Sequence, residues 1–91
     1  MAWVGMNDTS VKAQGQVLQA QSEAVGSLMG KIDQEIANLK SIWAGEDSVQ
    51  FEKEWTGTHK GELQRIKDML QAMSQKIDAE VKQQQDTSKA Y

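Results

Sequence analysis

The feature that most constrains the fold is the tripeptide Trp43-Ala44-Gly45, which lies near the middle of a chain without proline. Apolar residues with helical spacing extend on both sides of it. A glycine directly after a helix can adopt the left-handed conformation that ends the helix. Asp47 or Ser48 is then expected to cap a second helix, with Gln50 completing a capping box. The sequence therefore predicts two helices joined by a short turn.

Apolar residues recur every seven positions before this turn, with a companion row three or four positions later. This pattern predicts one amphipathic helix over about residues 9–42. After a turn at 43–46, apolar steps of three or four predict a second helix over about 47–84, fading near Gln83–Gln85, with flexible ends at 1–8 and 85–91. The rows comprise Val11, Leu18, Val25, Leu28, Ile32, Ile36 and Leu39 in the first helix, and Trp55, Leu63, Ile66, Leu70, Met73 and Ile77 in the second.

If the chain folds back at the turn, residues whose numbers sum to about 91 lie level with each other. The apolar rows agree with this rule, since Val25 then faces Ile66. They are therefore predicted to form the seam of an antiparallel hairpin. The rule also brings Gly26 and Gly30 to the level of Gly57 and Gly61. Glycine is unfavourable inside helices, so we expect either a close backbone approach or a flexible waist there.

Two helices alone leave the outer edges of their apolar stripes exposed. The predicted fold is therefore an all-α helix-turn-helix hairpin, a single domain over residues 1–91, that dimerises into a four-helix bundle with a second copy or with a different chain. The net charge of -3, with both signs interspersed, argues against nucleic acid or an anionic membrane as partner. We therefore expect protein partners.

Residues that could support catalysis are scarce, because the chain has one histidine and no cysteine. His59 and Glu62 would supply at most two metal ligands on consecutive turns. We expect no catalytic, cofactor-binding or metal site. His59 falls level with Ile32, so we expect a partly buried, hydrogen-bonded histidine, and a pH-responsive contact is the alternative.

The tripeptide at mid-chain, together with Phe51 six residues after Gly45, resembles the WXG family of small type VII secretion substrates. The resemblance covers about Thr9 to Gln85 and rests on the combination of position, length, absence of proline and two helices. It implies a noncatalytic protein that leaves the cytoplasm as a folded antiparallel dimer, without a cleavable signal peptide. The implied partners are a second copy or a similar WXG-type protein, and the ATPase of the secretion system.

In this family the export signal is thought to combine the Trp-x-Gly turn with a Tyr-x-x-x-Asp/Glu tail. Trp43 and Gly45 match the turn, whereas Tyr91 has no acidic residue four places later. Trp43 itself either plugs the turn by packing near Phe51 or is recognised by the export machinery, and the two roles are compatible. The alternative function is an intracellular helical adaptor for a larger exported toxin.

Overall fold

The computed structural model describes residues 7–89, and side chains as far as Asp86. Helix α1 covers Asp8–Ile42 and helix α2 covers Glu46–Glu54. A π-helical turn, Trp55–His59, connects α2 directly to α3, Lys60–Lys89. We call the continuous helix formed by α2, the π turn and α3 the second arm. It packs along α1 in a rod of 69 × 18 × 17 Å, so the predicted all-α hairpin is confirmed.

Helix α1 begins one residue earlier than predicted because Asn7 caps it. The Asn7 side-chain oxygen accepts a hydrogen bond from the Ser10 backbone N–H at 3.2 Å. Asp8 in the first turn and Lys40 in the last turn have the charges that the helix dipole favours at each end. The start of the helix is therefore fixed by local side-chain chemistry.

The turn reverses the chain differently from the prediction. Helix α1 ends because Trp43 adopts extended backbone angles, φ -134° and ψ 97°. Gly45 has φ 119° and ψ -178°, a region available essentially to glycine alone, and it caps α2 with its backbone. Capping by Asp47 or Ser48 was wrong, since both lie inside α2. The Ser48 hydroxyl instead donates to the Gly45 carbonyl at 3.2 Å.

The second arm continues beyond its predicted end near residue 84. Helix α3 extends to Lys89, through the glutamine run at Gln83–Gln85. Glutamine loses little side-chain freedom in a helix and is a good helix former, so a loss of apolar residues does not by itself end a helix.

Contacts between the arms confirm the predicted antiparallel register. The Ser74 hydroxyl reaches the Gly15 carbonyl at 2.7 Å, and the Ser22 hydroxyl reaches the Lys67 carbonyl at 2.9 Å. Each pair lies within about two residues of the level expected from a chain that folds back at the turn. The register is thus maintained along most of the hairpin.

The π turn shifts the buried stripe of the second arm by one residue. Before it, Glu52 and Trp55 face α1, and a regular seven-residue repeat would continue at positions 59 and 62. Those positions are exposed, and Lys60 and Leu63 face α1 instead. The Lys60 N–H bonds to the Trp55 carbonyl five residues back, which accommodates one extra residue in the turn. The insertion lets the whole second arm remain packed on α1.

Candidate functional site

The tip of the hairpin carries the Trp-x-Gly motif on its surface. The Trp43 side chain is 38% exposed and packs against Phe51, with ring centroids 6.0 Å apart and planes inclined by 58°. This contact joins the end of α1 to α2 across the turn, and one part of each ring remains accessible. Both roles considered for Trp43, closing the turn and contacting a partner, are compatible with this geometry.

Other apolar side chains extend this surface, which we call the turn patch. Ile42 is 81% exposed and Phe51 is about half exposed, whereas the exposed Val49 lies on a different face of α2, two residues from Phe51. Polar residues flank it on the outer surface of α2, where Gly45, Glu46, Val49, Gln50 and Lys53 line a shallow depression. The turn patch is therefore an accessible apolar surface at one end of the rod: Ile42, Trp43 and Phe51.

The predicted seam residues divide into three groups by burial. Ile36 and Trp55 are buried, whereas Leu28, Ile66 and Met73 are 44–46% exposed. The remaining eight are half-buried: Val11, Leu18, Val25, Ile32, Leu39, Leu63, Leu70 and Ile77. The contact within one hairpin therefore runs along one edge of the predicted seam, and the other edge faces outward.

The most buried row of α1 includes small residues that the sequence analysis did not select. Gly15, Ser22, Met29 and Ile36 are all buried and lie seven residues apart. On the second arm Ser74 is also buried. The heptad spacing in the sequence could have identified these residues, because it continues through Gly15 and Ser22 although neither is apolar.

The expected close approach of four glycines was wrong. A Cβ atom added at Gly30, Gly57 or Gly61 would meet no atom within 4 Å. At Gly26 it would meet only the flexible end of Lys67, whereas at Gly15 it would lie 2.9 Å from Ile77 Cγ2. Gly15 is thus the glycine that packs against an apolar side chain of the opposite arm, and it lies nearer the chain ends, where the small side chains of Ser22 and Ser74 allow the helices to approach.

Asp33 is another residue that the sequence analysis missed. Its carboxylate accepts hydrogen bonds from Lys60 Nζ at 2.8 Å and from Trp55 Nε1 at 2.9 Å. The Lys60 bond, and then the Trp55 bond, hold the pKa of Asp33 below its usual value. The register rule could have found this group, since it places Asp33 near the level of Lys60. The network links α1 to both ends of the π turn.

His59 is not the partly buried seam residue that we expected. Its side chain is 61% exposed, and Nδ1 lies 3.1 Å from Glu62 Oε1. The π turn explains the difference, because the extra residue rotates position 59 away from α1 and brings Lys60 in. Its hydrogen bond is therefore local to the second arm.

The exposed apolar residues of both arms lie on the same side of the hairpin. In each arm a buried row is followed three residues later by a half-buried row and three residues later again by an exposed row. In α1 the series is Ser22, Val25 and Leu28. In α3 it is Lys67, Leu70 and Met73, where Lys67 is half-buried and belongs to the row of the buried Ser74 and Val81. Because the arms are antiparallel, equal offsets place the outer rows on one side. We call this side the open face: Val17, Leu18, Val25, Leu28, Ile32, Leu63, Ile66, Met69, Leu70, Met73 and Ile77.

The opposite side of the hairpin is polar and carries ion pairs between the arms. Lys40 Nζ lies 2.9 Å from Glu52 Oε2, and Lys60 Nζ lies 2.8 Å from Asp33 Oδ2. One side is thus closed by charged groups, and the other presents apolar side chains that residues 7–89 leave partly exposed.

Tyr91, the third residue proposed for export recognition, lies outside the described residues, as do residues 1–6. Within residues 7–89, no three or more His, Cys, Asp or Glu side chains converge as a metal site would require. In the same part of the chain, none of the helices combines the length and apolar character needed to cross a bilayer.

Comparison with known proteins gives no match: no protein-family description, no curated protein and no solved structure is similar to this chain at a significant level. The functional argument therefore depends on the turn patch and the open face.

Proposed function

We propose that this protein is a small noncatalytic substrate of a type VII secretion system, exported as a folded helical dimer and recognised partly through its Trp-x-Gly turn. The observation that carries the proposal is the position of Trp43 and Gly45 at the exposed tip of a two-helix rod. A recognition element at a tip remains accessible when the long sides of the rod are covered by a partner. The proposal includes no activity for the protein after export.

The dimer in this proposal is supported by the open face. Leu28, Ile66 and Met73 on this face are apolar, and each is 44–46% exposed. Exposed contiguous apolar surface on one side of a helical hairpin favours association with a second hairpin into a four-helix bundle. A second copy is the simplest partner, and a similar WXG-type chain is the other.

Secretion of a Trp43→Ala variant tests the recognition step. In a bacterium with an active type VII system, we expect less of the variant in the medium than of the wild type, with similar amounts inside the cells. Val49→Ala is a matched control, because Val49 is an exposed apolar residue near the tip that lies outside both the motif and the turn patch. It should be secreted like the wild type.

The fold and the solution mass of the same variants must also be measured, in order to separate a structural role of Trp43 from a recognition role. Helicity and a light-scattering mass of twice 10.1 kDa should be retained in Trp43→Ala. If the variant loses its fold, Trp43 is structural and its recognition role is rejected. If the variant folds and is secreted normally, the turn does not direct export. Retention of the wild type in the cytosol, with a larger copurifying protein outside, would support the adaptor function instead.

A further inference from the structure

Four glycines lie at nearly one level of the rod, between the turn and its middle, and packing does not account for them. An added Cβ atom would meet no atom within 4 Å at Gly30, Gly57 or Gly61, and only the flexible end of Lys67 at Gly26. Each glycine nevertheless makes its helix less favourable than alanine would. We call this level the waist: Gly26, Gly30, Gly57 and Gly61.

The π turn lies at the same level and interrupts the packing repeat of the second arm. Residues that face α1 follow steps of four and three up to Trp55 and again from Lys60, but the step between these two residues is five. Removal of one residue there would leave an unbroken repeat. Sharp kinks in helices occur mostly at proline, at Gly/Ser pairs such as Gly26-Ser27, and at π turns. Both arms are therefore weakest at the waist.

The glycines leave one side of the waist without side chains. Residues two apart in a helix point in nearly opposite directions, about 200° apart. Gly30 lies two residues from both Leu28 and Ile32, which belong to the open face. Gly61 lies two residues from Leu63, which also belongs to the open face. Gly30 and Gly61 thus lie on the polar side, where a bend meets no side chain at either position.

The links between the arms also change at the waist. Toward the chain ends, the Ser22 and Ser74 hydroxyls bond to backbone carbonyls, which keeps the two backbones close. At the waist, Lys60 Nζ meets the Asp33 carboxylate at 2.8 Å, through side chains that are both substantially exposed. A bond between the ends of long side chains can follow a small movement of the helices. The links at the waist therefore permit bending.

We propose that the waist is a joint at which the turn end of the rod bends toward the polar side. Both arms bend together in this direction, so neither has to slide along the other and the register is kept. The bend carries the turn patch away from any partner on the open face. The inference rests on the proposed function, to which it adds a movement that presents the turn patch for recognition.

Distances between spin labels, measured by pulsed electron paramagnetic resonance, test the bend directly. The chain has no cysteine, so labels attach only at introduced ones. Gln16→Cys with Ala37→Cys places two exposed labels in the heptad row of Gly30, one on each side of it and about 32 Å apart in a straight helix. Gln14→Cys with Glu35→Cys is the matched pair, since each label lies two residues earlier and hence on the opposite side. Dilution with unlabelled wild type restricts the measurement to distances within one chain.

We expect the polar-side pair to show a second population, shorter than the straight-helix distance by a few ångströms. The opposite pair should show no shorter population. Gly30→Ala combined with Gly61→Ala should remove the short population, because alanine strengthens both helices without a clash. Deletion of Gly57 is an independent variant with the same expected result, because it removes the π turn. A short population in both label pairs or in neither, or one that survives both variants, would overturn the joint.

Secretion tests the role of the bend. The chain with Gly30→Ala and Gly61→Ala should fold, unfold at higher urea concentration, and reach the medium in clearly smaller amounts than the wild type. Asn38→Ala is the matched control, because Asn38 is exposed, lies outside the waist and also gains helix propensity on substitution. It should be secreted like the wild type.

The outcomes separate this inference from the proposed function. If the double variant loses the short population and is still secreted normally, bending has no part in export and the proposed role of the joint is rejected. Normal secretion of Trp43→Ala would instead reject the recognition of the turn. The label distances would still decide whether the waist bends.

Discussion

The half of the hairpin near the turn and the half near the chain ends are held together by different chemistry. Near the chain ends, the hydroxyls of Ser22 and Ser74 donate directly to backbone carbonyls of the opposite arm. Near the turn, the bonds between the arms join side chain to side chain, as in Trp55 to Asp33. Backbones must be close for the first kind of bond, whereas the second kind spans the width of an indole.

This difference shows how one register accommodates two packing modes. Small residues bring the arms together at the level of Gly15, and Trp55 fills the space between them near the turn. The distance between packed helices depends on the side chains at the contact, so the two halves respond to different substitutions. The π turn lies in the half near the turn and keeps the buried stripe of the rest of the second arm on α1.

Trp55→Ala should have the largest effect on stability. Trp55 is only 7% exposed, and removing a buried tryptophan typically costs about 3–5 kcal/mol through lost burial and the cavity left behind. Urea unfolding followed by circular dichroism measures the change. Trp55→Phe should cost less, because it retains an apolar ring and loses mainly the hydrogen bond to Asp33.

A matched surface variant makes this test decisive. Val49→Ala removes an apolar side chain that is 48% exposed in the same half of the molecule. If Trp55→Ala costs no more than Val49→Ala, the turn half does not depend on a buried tryptophan and the comparison between the halves fails.

Gly15→Val tests the other half and should have a smaller effect. Even the first added carbon would lie 2.9 Å from Ile77 Cγ2, so the side chain or the helix must shift. Overpacking of this kind costs about 1–3 kcal/mol. Gly30→Ala is the control, because the space around Gly30 is open. Alanine is more favourable than glycine inside a helix, so this variant should raise the free energy of unfolding by up to about 1 kcal/mol. Equal effects of the two substitutions would contradict the close approach near the chain ends.

The sequence predicted the hairpin because its strongest signals are local or periodic. Heptad apolar rows and the mid-chain glycine determine two antiparallel helices, and the register follows from folding back at that glycine. The close contact at Gly15 was missed because a search for apolar residues passes over Gly15, Ser22 and Ser74. These residues are small enough to fit where the two helices are close, and the Ser22 and Ser74 hydroxyls donate hydrogen bonds to backbone carbonyls of the opposite arm.

The π turn was missed for a different reason. One inserted residue changes the face on which every later residue lies, yet the apolar rows of α2 and α3 each look regular when taken separately. The insertion explains why His59 is exposed while Lys60 reaches Asp33. The open face, in contrast, was implied by apolar rows broader than one helix contact can bury.

Asp33→Asn should have the smallest effect and gives a pH-dependent test of the turn half. The Asp33 carboxylate receives hydrogen bonds from Lys60 and Trp55, and both lower its pKa in the folded chain. Asparagine keeps the size of the side chain but removes the negative charge. We therefore expect the variant to unfold at slightly lower urea concentration near neutral pH. The change is small because Asp33 and Lys60 are both substantially exposed and screened by solvent.

The sign of the pH dependence follows from the direction of the pKa shift. Because the folded chain holds Asp33 at a lower pKa than the unfolded chain, its contribution to stability is complete above the ordinary value of about 3.9. It is lost as the pH falls from that value through the lower pKa of the folded state. The difference in unfolding midpoint between wild type and Asp33→Asn should thus be constant from about pH 7 to 5 and shrink below about pH 4. A difference that stays constant to low pH would show that the carboxylate charge does not stabilise the contact between α1 and the π turn.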